Sequence, residues 1–264
     1  MLRAGALSFK TTPKNIRLLC NRNLGLGSDG ILLHENSRKA DAKMRILNPD
    51  GSEAQKSGNG ARIFALYLRR YGRPGRNSYS IETAGGLITA TFHGNGITVD
   101  MGRPTFNSRA LPMRGPVREA VHQVLRVGGH SLEFTGVSVG NPHAVFYFKS
   151  NPDIRLLRKL GPLIENNRLF PERTNVQFAR VVSRKLVRAL IWERGAGETQ
   201  ASGSSSCAVA AAGRRLGLLD DNVKIVMPGG SLDIGIDDEW NITMTGPAEE
   251  VMTGTLSPDL LRKT

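Results

Sequence analysis

The residues with the clearest chemical potential occur in two short segments, 57–60 (Ser-Gly-Asn-Gly) and 202–205 (Ser-Gly-Ser-Ser). Each segment places a hydroxyl and several backbone N–H groups at the start of an apolar helical stretch. A helix start of this kind binds an anion, and a carboxylate suits it as well as a phosphate. A serine before a glycine-rich turn is also an ordinary helix cap. Because the arrangement occurs twice in register, we favour a ligand site.

The two segments belong to a longer internal repeat. Residues 48–72 and 193–217 align without a gap and share glutamate, glutamine, serine, glycine, alanine and arginine at matching positions. Asn48 aligns with Glu193, so each serine is preceded at the same distance by a polar residue. A repeat indicates two related halves, and we expect each half to supply one helix start to a shared site.

The elements that carry these segments read as a strand-rich chain with few helices. The sequence predicts helices at 12–21, 59–71, 151–160 and 204–216. It predicts strands at 31–35, 43–48, 78–83, 87–92, 96–101, 176–182, 186–192, 224–227, 231–236 and 240–245, a strand-rich stretch at 111–148 and a hairpin turn at Gly94-Asn95-Gly96. Small side chains in the last helix would let a sheet approach it closely. We therefore expect an α+β fold of two pseudo-symmetric domains, each a mostly antiparallel β-sheet barrel wrapped around a central helix.

The repeat also suggests where the domains divide. We expect a first domain at 1–106 and a second at 107–251, each with one of the two serines. Residues 252–264 would form a C-terminal tail that either returns to pack on the first half or is disordered. Domains of this length lie in the usual range for a compact fold.

Composition narrows the class of function. The chain has 264 residues and a net charge of +13, but its basic residues are scattered and aromatic residues make up only 6%. Nucleic-acid-binding modules combine basic and aromatic residues, so we expect no nucleic-acid partner and a cationic surface that attracts small anions. No apolar run approaches the roughly 20 residues that span a bilayer. We therefore expect no membrane partner and a cytoplasmic location.

The two cysteines carry little functional signal. Cys20 and Cys207 are too few for a disulfide framework. Neither has histidine or cysteine neighbours at the spacing of zinc ligands, so no metal site is expected. Cys207 lies inside the apolar helix after Ser202, where we expect a buried and unreactive thiol.

Four motifs together resemble the signature segments of the diaminopimelate epimerase family. They are NPDGSEAQKSGNGARIFA from Asn48, SVGNPHAV from Ser138, RTNVQF from Arg173 and IWERGAGETQASGSSSCA from Ile191. The resemblance covers nearly the whole chain in the right order. It implies two pseudo-symmetric domains, each an eight-stranded sheet around a helix, and epimerisation of an amino acid at the α-carbon without pyridoxal phosphate or another cofactor. The implied reaction converts LL- to meso-diaminopimelate, a precursor of lysine and peptidoglycan, and a homodimer is among the assemblies that it allows.

The resemblance also implies roles for single residues. Ser57 and Ser202 stand at the positions of the family's two catalytic cysteines, with His143 beside the first and Glu193 near the second. Further matches to substrate-contacting positions are Asn48, Gly58, Asn59, Asn141, Asn175, Glu193, Arg194, Gly203 and Ser204. Taken alone, Asn141 to His143 would read as a plain turn and Glu193-Arg194 as a surface ion pair, so their value comes from belonging to the set.

The chain departs from the family pattern in two ways. First, serine replaces both catalytic cysteines, and a hydroxyl is a much weaker acid than a thiol, which titrates near 8.5. A serine here needs a neighbour that takes its proton, and His143 and Glu193 are the candidates. The chain also differs from the usual family sequence at Lys56 and at residues 204–206, which favours a natural branch of the family that carries serine at both positions. Second, the family's opening strand has no counterpart, and Gly30 stands where a glutamine often sits.

Three functional hypotheses follow from these observations. The first is a cofactor-independent diaminopimelate epimerase that transfers protons between two groups at the α-carbon. The second keeps the fold but changes the reaction to an isomerase or dehydratase acting on another amino acid. The third is a catalytically inactive protein that still binds an amino acid. Solvent exchange at the α-carbon separates the first from the other two.

Overall fold

The computed structural model describes residues 1–55, 57–94 and 96–264, so Lys56 and the central residue of the turn predicted at Gly94-Asn95-Gly96 lie outside the described residues. The chain divides into two compact units. Unit 1 comprises Met1–Val99 and Pro247–Thr264, and unit 2 comprises Asp100–Gly246. The α-helices of the described residues are α1 (Pro13–Cys20), α2 (Gly58–Tyr67), α3 (Ile154–Glu165), α4 (Gly203–Arg215) and α5 (Pro258–Leu261).

The strands of unit 1 follow the predicted ones closely. They are β1 (Leu2–Arg3), β2 (Ile31–Glu35), β3 (Ala42–Leu47), β4 (Glu53–Ala54), β5 (Ser78–Thr83), β6 (Gly86–His93) and β7 (Gly96–Gly102), of which residues 96–99 belong to unit 1. The pairs β2–β3, β3–β4, β5–β6 and β6–β7 are antiparallel, whereas β1–β2 and β3–β5 are parallel. The short strand β1 was not predicted, because two residues carry no periodic signal. Its partner β2 alternates buried and partly exposed side chains from Ile31 onwards, as a half-buried strand must.

Helix α1 and the C-terminal segment form a small core of their own in unit 1. Thr12 caps α1 and its hydroxyl accepts a hydrogen bond from Asn15 N–H, with proline in the first turn. The buried face of α1 contributes Ile16 and Leu19, against which Leu256 and Leu260 pack. The last residues of the chain thus lie against its first helix.

In unit 2 the strands run in the order β8–β9–β10–β11–β12–β14–β15–β16. Their bounds are β8 (Gln123–Val127), β9 (His130–Ser138), β10 (Pro142–Tyr147), β11 (Asn175–Ser183), β12 (Leu186–Glu193), β13 (Gly197–Thr199), β14 (Asn222–Met227), β15 (Gly230–Ile236) and β16 (Ile242–Gly246). The sheet is mostly antiparallel, with β10–β11 and β12–β14 parallel. Strand β13 pairs with β12.

Helix α4 is the central helix of unit 2. Every residue from Ser205 to Gly213 is buried, and strands β9, β10, β11, β12, β14, β15 and β16 all contact the helix. Small side chains are required there: a Cβ on Gly213 would come within 2.6 Å of the Tyr147 hydroxyl. That hydroxyl donates to Val209 O at 2.6 Å, so the sheet and the helix are also hydrogen-bonded. The expected α+β fold with strands wrapped around a helix is confirmed, and Cys207 is fully buried.

Two helices differ from their predicted bounds. Helix α3 was predicted at 151–160 but covers Ile154–Glu165, with Pro162 inside it. It begins after Asp153, whose side chain accepts from Arg155 N–H as an N-cap. After α2, the chain continues from Leu68 to Gly72 as a π-helical turn rather than as the predicted α-helix. None of the helices in the described part of the chain is long and apolar enough to cross a membrane.

Candidate active site

The two serines at the repeated segments occupy the same local structure. Ser57 is the N-cap of α2 with φ −149° and ψ 116°, and its Oγ accepts from Gly60 N–H at 3.0 Å. Ser202 is the N-cap of α4 with φ −148° and ψ 126°, and its Oγ accepts from Ser205 N–H at 3.5 Å. Each serine therefore presents its hydroxyl beside free N–H groups at a helix start, where negative charge is stabilised. The repeat in the sequence is thus a repeat in backbone conformation.

Ser202 has a carboxylate neighbour in its own unit. Glu193 ends β12, and its carboxyl group lies beside the Ser202 hydroxyl. Burial raises the pKa of the Glu193 carboxyl above its ordinary value, and the interaction with the Ser202 hydroxyl opposes part of that increase. A carboxylate with a raised pKa beside a hydroxyl is suited to accept a proton from it.

A buried carboxylate holds the turn that follows Glu193. Glu165, in the last turn of α3, is 5% exposed and accepts three hydrogen bonds. The donors are Trp192 Nε1 at 2.8 Å, Gly195 N at 2.9 Å and Arg173 Nη1 at 3.3 Å. Trp192 and Gly195 bracket Glu193 and Arg194, and Gly195 takes φ +79°, which favours glycine. Glu165 therefore fixes both ends of the segment that carries the predicted site residues.

The amide of Asn175 holds the same turn from β11. Its Oδ1 accepts from Arg194 N at 2.9 Å, and its Nδ2 donates to Pro142 O at 2.8 Å. The side chain thus connects the turn after β12 with the start of β10. Arg194 is exposed, and its Nη1 donates to Glu172 O at 3.1 Å. Asn175 shapes the site through backbone groups, while the Arg194 guanidinium stands at its surface.

His143 is buried in unit 2 and uses both ring nitrogens. Its Nε2 is 2.9 Å from Asn141 Oδ1, and its Nδ1 is 3.0 Å from Gln177 Nε2. Burial lowers the pKa of His143 to about 3, and the positive charge of Arg194 adds to this effect. An imidazole with this pKa is a weak base near neutral pH. Of the two candidates for taking a serine's proton, the electrostatics therefore favour Glu193 over His143.

The remaining predicted residues lie at the two helix starts. In unit 1, Asn48 follows β3 and its Nδ2 donates to Ser52 Oγ at 3.0 Å, while Asn59 Oδ1 accepts from Arg62 Nη2 at 2.9 Å. Within unit 1, among its described residues, no carboxylate or imidazole is hydrogen-bonded to Ser57. The other predicted residues lie in the first turns of the two helices: Gly58 in α2, and Gly203 and Ser204 in α4. Unit 2 thus gathers Asn141, His143, Asn175, Glu193, Arg194 and Ser202 to Ser204, and unit 1 gathers Asn48 and Ser57 to Asn59.

Two participants were missed by the sequence reasoning: Glu165 and Gln177. A signal for Glu165 existed, since a carboxylate in the last turn of a helix opposes the helix dipole and needs a partner. Gln177 is a polar residue in the middle of a run that is buried on both faces. Among the described residues, no group of three or more histidine, cysteine, aspartate or glutamate side chains is arranged to hold a metal ion.

The fold is shared with several solved structures. A probable proline racemase from Agrobacterium radiobacter matches with a TM-score of 0.65 at 16% identity, covering 94% of this chain and 83% of that one. A hydroxyproline epimerase from Agrobacterium vitis, solved with trans-4-hydroxy-L-proline, matches with a TM-score of 0.65 at 16% identity, covering 88% and 77%. At such identities the likeness shows the fold alone: this is the two-domain fold found in those racemases and epimerases.

Sequence comparison identifies the family within that fold. Residues 6–107 and 135–251 match the family model for diaminopimelate epimerase. Diaminopimelate epimerase 2 of a Nostoc species is 44% identical over 257 residues, which is 96% of this chain and 90% of the relative. The diaminopimelate epimerase of Carboxydothermus hydrogenoformans is 44% identical over 237 residues, 89% of this chain and 86% of that protein. The chain belongs to the diaminopimelate epimerase family, and the resemblance of its motifs is confirmed.

Proposed function

We propose that this protein is a cofactor-independent epimerase that converts LL- to meso-diaminopimelate. Support comes from two relatives named as diaminopimelate epimerases, each 44% identical over most of the chain. The structural observation that carries the proposal is the pair of serine-capped helix starts, one of which has the Glu193 carboxyl beside its serine. The location would be the cytoplasm. A homodimer stays a prediction that a mass measurement in solution can test.

In the proposed reaction, the helix starts stabilise the negative charge that develops when the α-proton leaves. A carbanion beside a carboxylate is costly, and backbone N–H groups supply hydrogen bonds without loss of side-chain entropy. Ser202 Oγ takes the α-proton of one configuration while its own proton passes to the Glu193 carboxylate. Ser57, at the position of the family's other acid-base residue, serves the opposite configuration. Arg194, Asn59, Asn141 and Asn175 are the proposed contacts or supports for the substrate, together with Asn48, Gly58, Gly203 and Ser204.

Serine at both positions is the feature that makes a direct test necessary. The protein is incubated with LL-diaminopimelate in D₂O, and the α-carbon signals are followed by proton NMR. An epimerase replaces the α-proton by deuterium and produces the meso isomer. Release of a keto acid would instead identify a dehydratase of the same fold. Binding by calorimetry without exchange would identify an inactive amino-acid-binding homologue, and either result would overturn the proposal.

A further inference from the structure

Gln177 lies at the centre of a buried hydrogen-bond network in unit 2. It is in β11, its side chain is fully buried, and its Nε2 donates to His143 Nδ1 and to Ser205 Oγ, each at 3.0 Å. Both acceptors are also fully buried. One amide group therefore joins a histidine on β10 to the first turn of α4. The other end of this amide, Oε1, is buried without a hydrogen-bond partner among the described residues.

The donor from Gln177 determines where the proton of His143 resides. A neutral imidazole has one N–H and one lone pair. Because Nδ1 accepts from Gln177, the ring proton is on Nε2, and Nε2–H donates to Asn141 Oδ1 at 2.9 Å. The ring is neutral because burial and the charge of Arg194 disfavour the imidazolium. Arg194 is the charged group that acts on His143, and Gln177 and Asn141 are its neutral partners.

The proton on Nε2 in turn orients the amide of Asn141. The oxygen and the NH₂ group of a carboxamide point in opposite directions, so Asn141 directs its NH₂ away from His143. That group donates hydrogen bonds and suits a carboxylate, whereas the reversed amide would present an acceptor and repel one. The same Gln177 donor group reaches Ser205, whose N–H is bonded to Ser202 Oγ at 3.5 Å. The network therefore links the orientation of Asn141 to the capped start of α4.

We propose that Gln177 is a positioning residue: it sets the tautomer of His143, which fixes Asn141 as a hydrogen-bond donor towards the substrate carboxylate. The assignment of a carboxylate ligand to Asn141 rests on the proposed function. The relay from Gln177 to Asn141 rests on the hydrogen-bond geometry and the burial of the ring, and it does not depend on the proposed function. An unpartnered Oε1 in a buried site is unfavourable, and this cost is explained if the other end of the amide is needed as a double donor.

The first test measures the tautomer and needs no activity. The protein is labelled with ¹⁵N-histidine, and the His143 signals are identified by their loss in His143→Gln. We expect a neutral ring with the proton on Nε2 at neutral pH. A ring protonated on Nδ1, or an imidazolium, would overturn the relay whether or not the protein is an epimerase. If the relay is present and no α-proton exchange occurs, the relay stands and the proposed function fails.

The second test reverses the donor with Gln177→Glu. A carboxylate only accepts, so it draws a proton onto His143 Nδ1. At low pH both ring nitrogens carry protons and Asn141 keeps its orientation. When the pH rises through the pKa of the ring, Nε2 loses its proton and the Asn141 amide turns. We expect the KM for diaminopimelate to rise about tenfold or more at that step, the loss of a hydrogen bond to a charged group, with a smaller change in kcat.

A matched control removes the other partner of Gln177. Ser205→Ala eliminates the second acceptor but leaves His143 untouched, so its ¹⁵N signature should stay that of the wild type. A loss of folding in Gln177→Glu would show up in a thermal melt and would leave the wild-type tautomer as the deciding measurement. A folded Gln177→Glu variant with an unchanged tautomer and no new step in the KM profile would refute the positioning role.

Discussion

The two helix starts have the same backbone but different chemical surroundings. Ser57 and Ser202 have φ angles of −149° and −148°, and each side chain accepts a hydrogen bond from the backbone N–H three residues later. The repeat aligns Asn48 with Glu193, and the two helix starts differ at this position. The Glu193 carboxyl lies beside the Ser202 hydroxyl, whereas Asn48 donates a hydrogen bond to Ser52. Both helix starts keep the same cap geometry, and among the residues that the structure describes a carboxylate lies beside Ser202, whereas within unit 1 none is hydrogen-bonded to Ser57.

The second turn of each helix extends this difference. Arg62 in α2 is buried, and its guanidinium donates to Asn59 Oδ1 and to Pro247 O. The residue aligned with it in α4 is Cys207, which is fully buried. One start therefore has a cation close by and the other a carboxylate. We infer that Ser202 is equipped to remove a proton, and that Ser57 lies in surroundings that stabilise negative charge.

The largest effect is expected when the Glu193 carboxylate, which distinguishes the two helix starts, is removed. Glu193→Gln should lower the rate of α-proton exchange by roughly 10²- to 10⁴-fold, the usual contribution of a general base. Exchange should be lost most in the substrate isomer whose proton faces Ser202. Because burial raises the pKa of Glu193, the wild-type rate should rise with pH over a range above its ordinary value of 4.5. The variant should lack that rise.

Glu198→Gln is the matched control for this prediction. Glu198 lies in the adjacent strand β13 and pairs with Arg158, so it tests the loss of a nearby carboxylate without touching Ser202. Its exchange rate should stay near that of the wild type. Equal losses in the two variants would show that Glu193 contributes charge or stability rather than proton transfer.

The next prediction concerns a double variant in which a thiol, a stronger acid than a hydroxyl, replaces the side-chain hydroxyl of each serine. Ser57→Cys combined with Ser202→Cys should raise the exchange rate by at least about tenfold, which corresponds to about 1.4 kcal/mol of barrier. A thiol titrates near 8.5 and can be lowered at a helix start, so the gain should follow a thiol-like pH profile. Each single change should help less, because inversion uses both groups. No exchange in the double variant would mean that the substrate pocket has diverged from that of an epimerase.

Local features of the chain were predictable from its sequence, whereas contacts between distant residues were not. Glycine punctuation and β-branched alternation predicted strands such as β2 and β5 to the residue, and the ungapped repeat predicted two equivalent serine caps. These features are local, since caps and strand periodicity depend on neighbours along the chain. The end of α3 was missed because Pro162 normally ends a helix, but here the helix continues for three residues beyond it.

The missed parts of the site depend on long-range contacts. Glu165 contacts Trp192 and Gly195, and Gln177 contacts His143, over separations of 27 to 34 residues. No spacing rule encodes which buried amide will face which ring. The environment of His143 was missed for the same reason, because its pKa follows from burial and from Arg194 rather than from its own motif.

A smaller effect is expected from loosening the turn that carries Glu193, the proposed base. Glu165→Gln leaves one carbonyl oxygen for three N–H donors, so at least one hydrogen bond to a buried charge is lost. The free energy of unfolding should fall by about 1.5–3 kcal/mol in denaturant titrations. Exchange should slow for the isomer served by Ser202 more than for the other. Glu172→Gln is the control, because Glu172 is exposed and Arg194 donates to its backbone carbonyl. This substitution should change neither the free energy of unfolding nor the exchange rate.

The last prediction concerns acid stability and compares a buried histidine in unit 2 with a half-buried one in unit 1. His143 has a native pKa of about 3 against 6.5 unfolded, so between these values the unfolded chain binds a proton that the native protein does not. Stability should therefore fall as the pH drops below 6.5, by at most about 1.4 kcal/mol per pH unit from this group. His143→Gln should remove that part of the slope in denaturant titrations at several pH values. His34, half-buried between Phe64 and Tyr67, also has a pKa lowered by burial, and His34→Gln should remove a smaller part. Equal slopes in the wild type and His143→Gln would show that the ring is accessible to protons, which would remove the basis for a neutral histidine in this site.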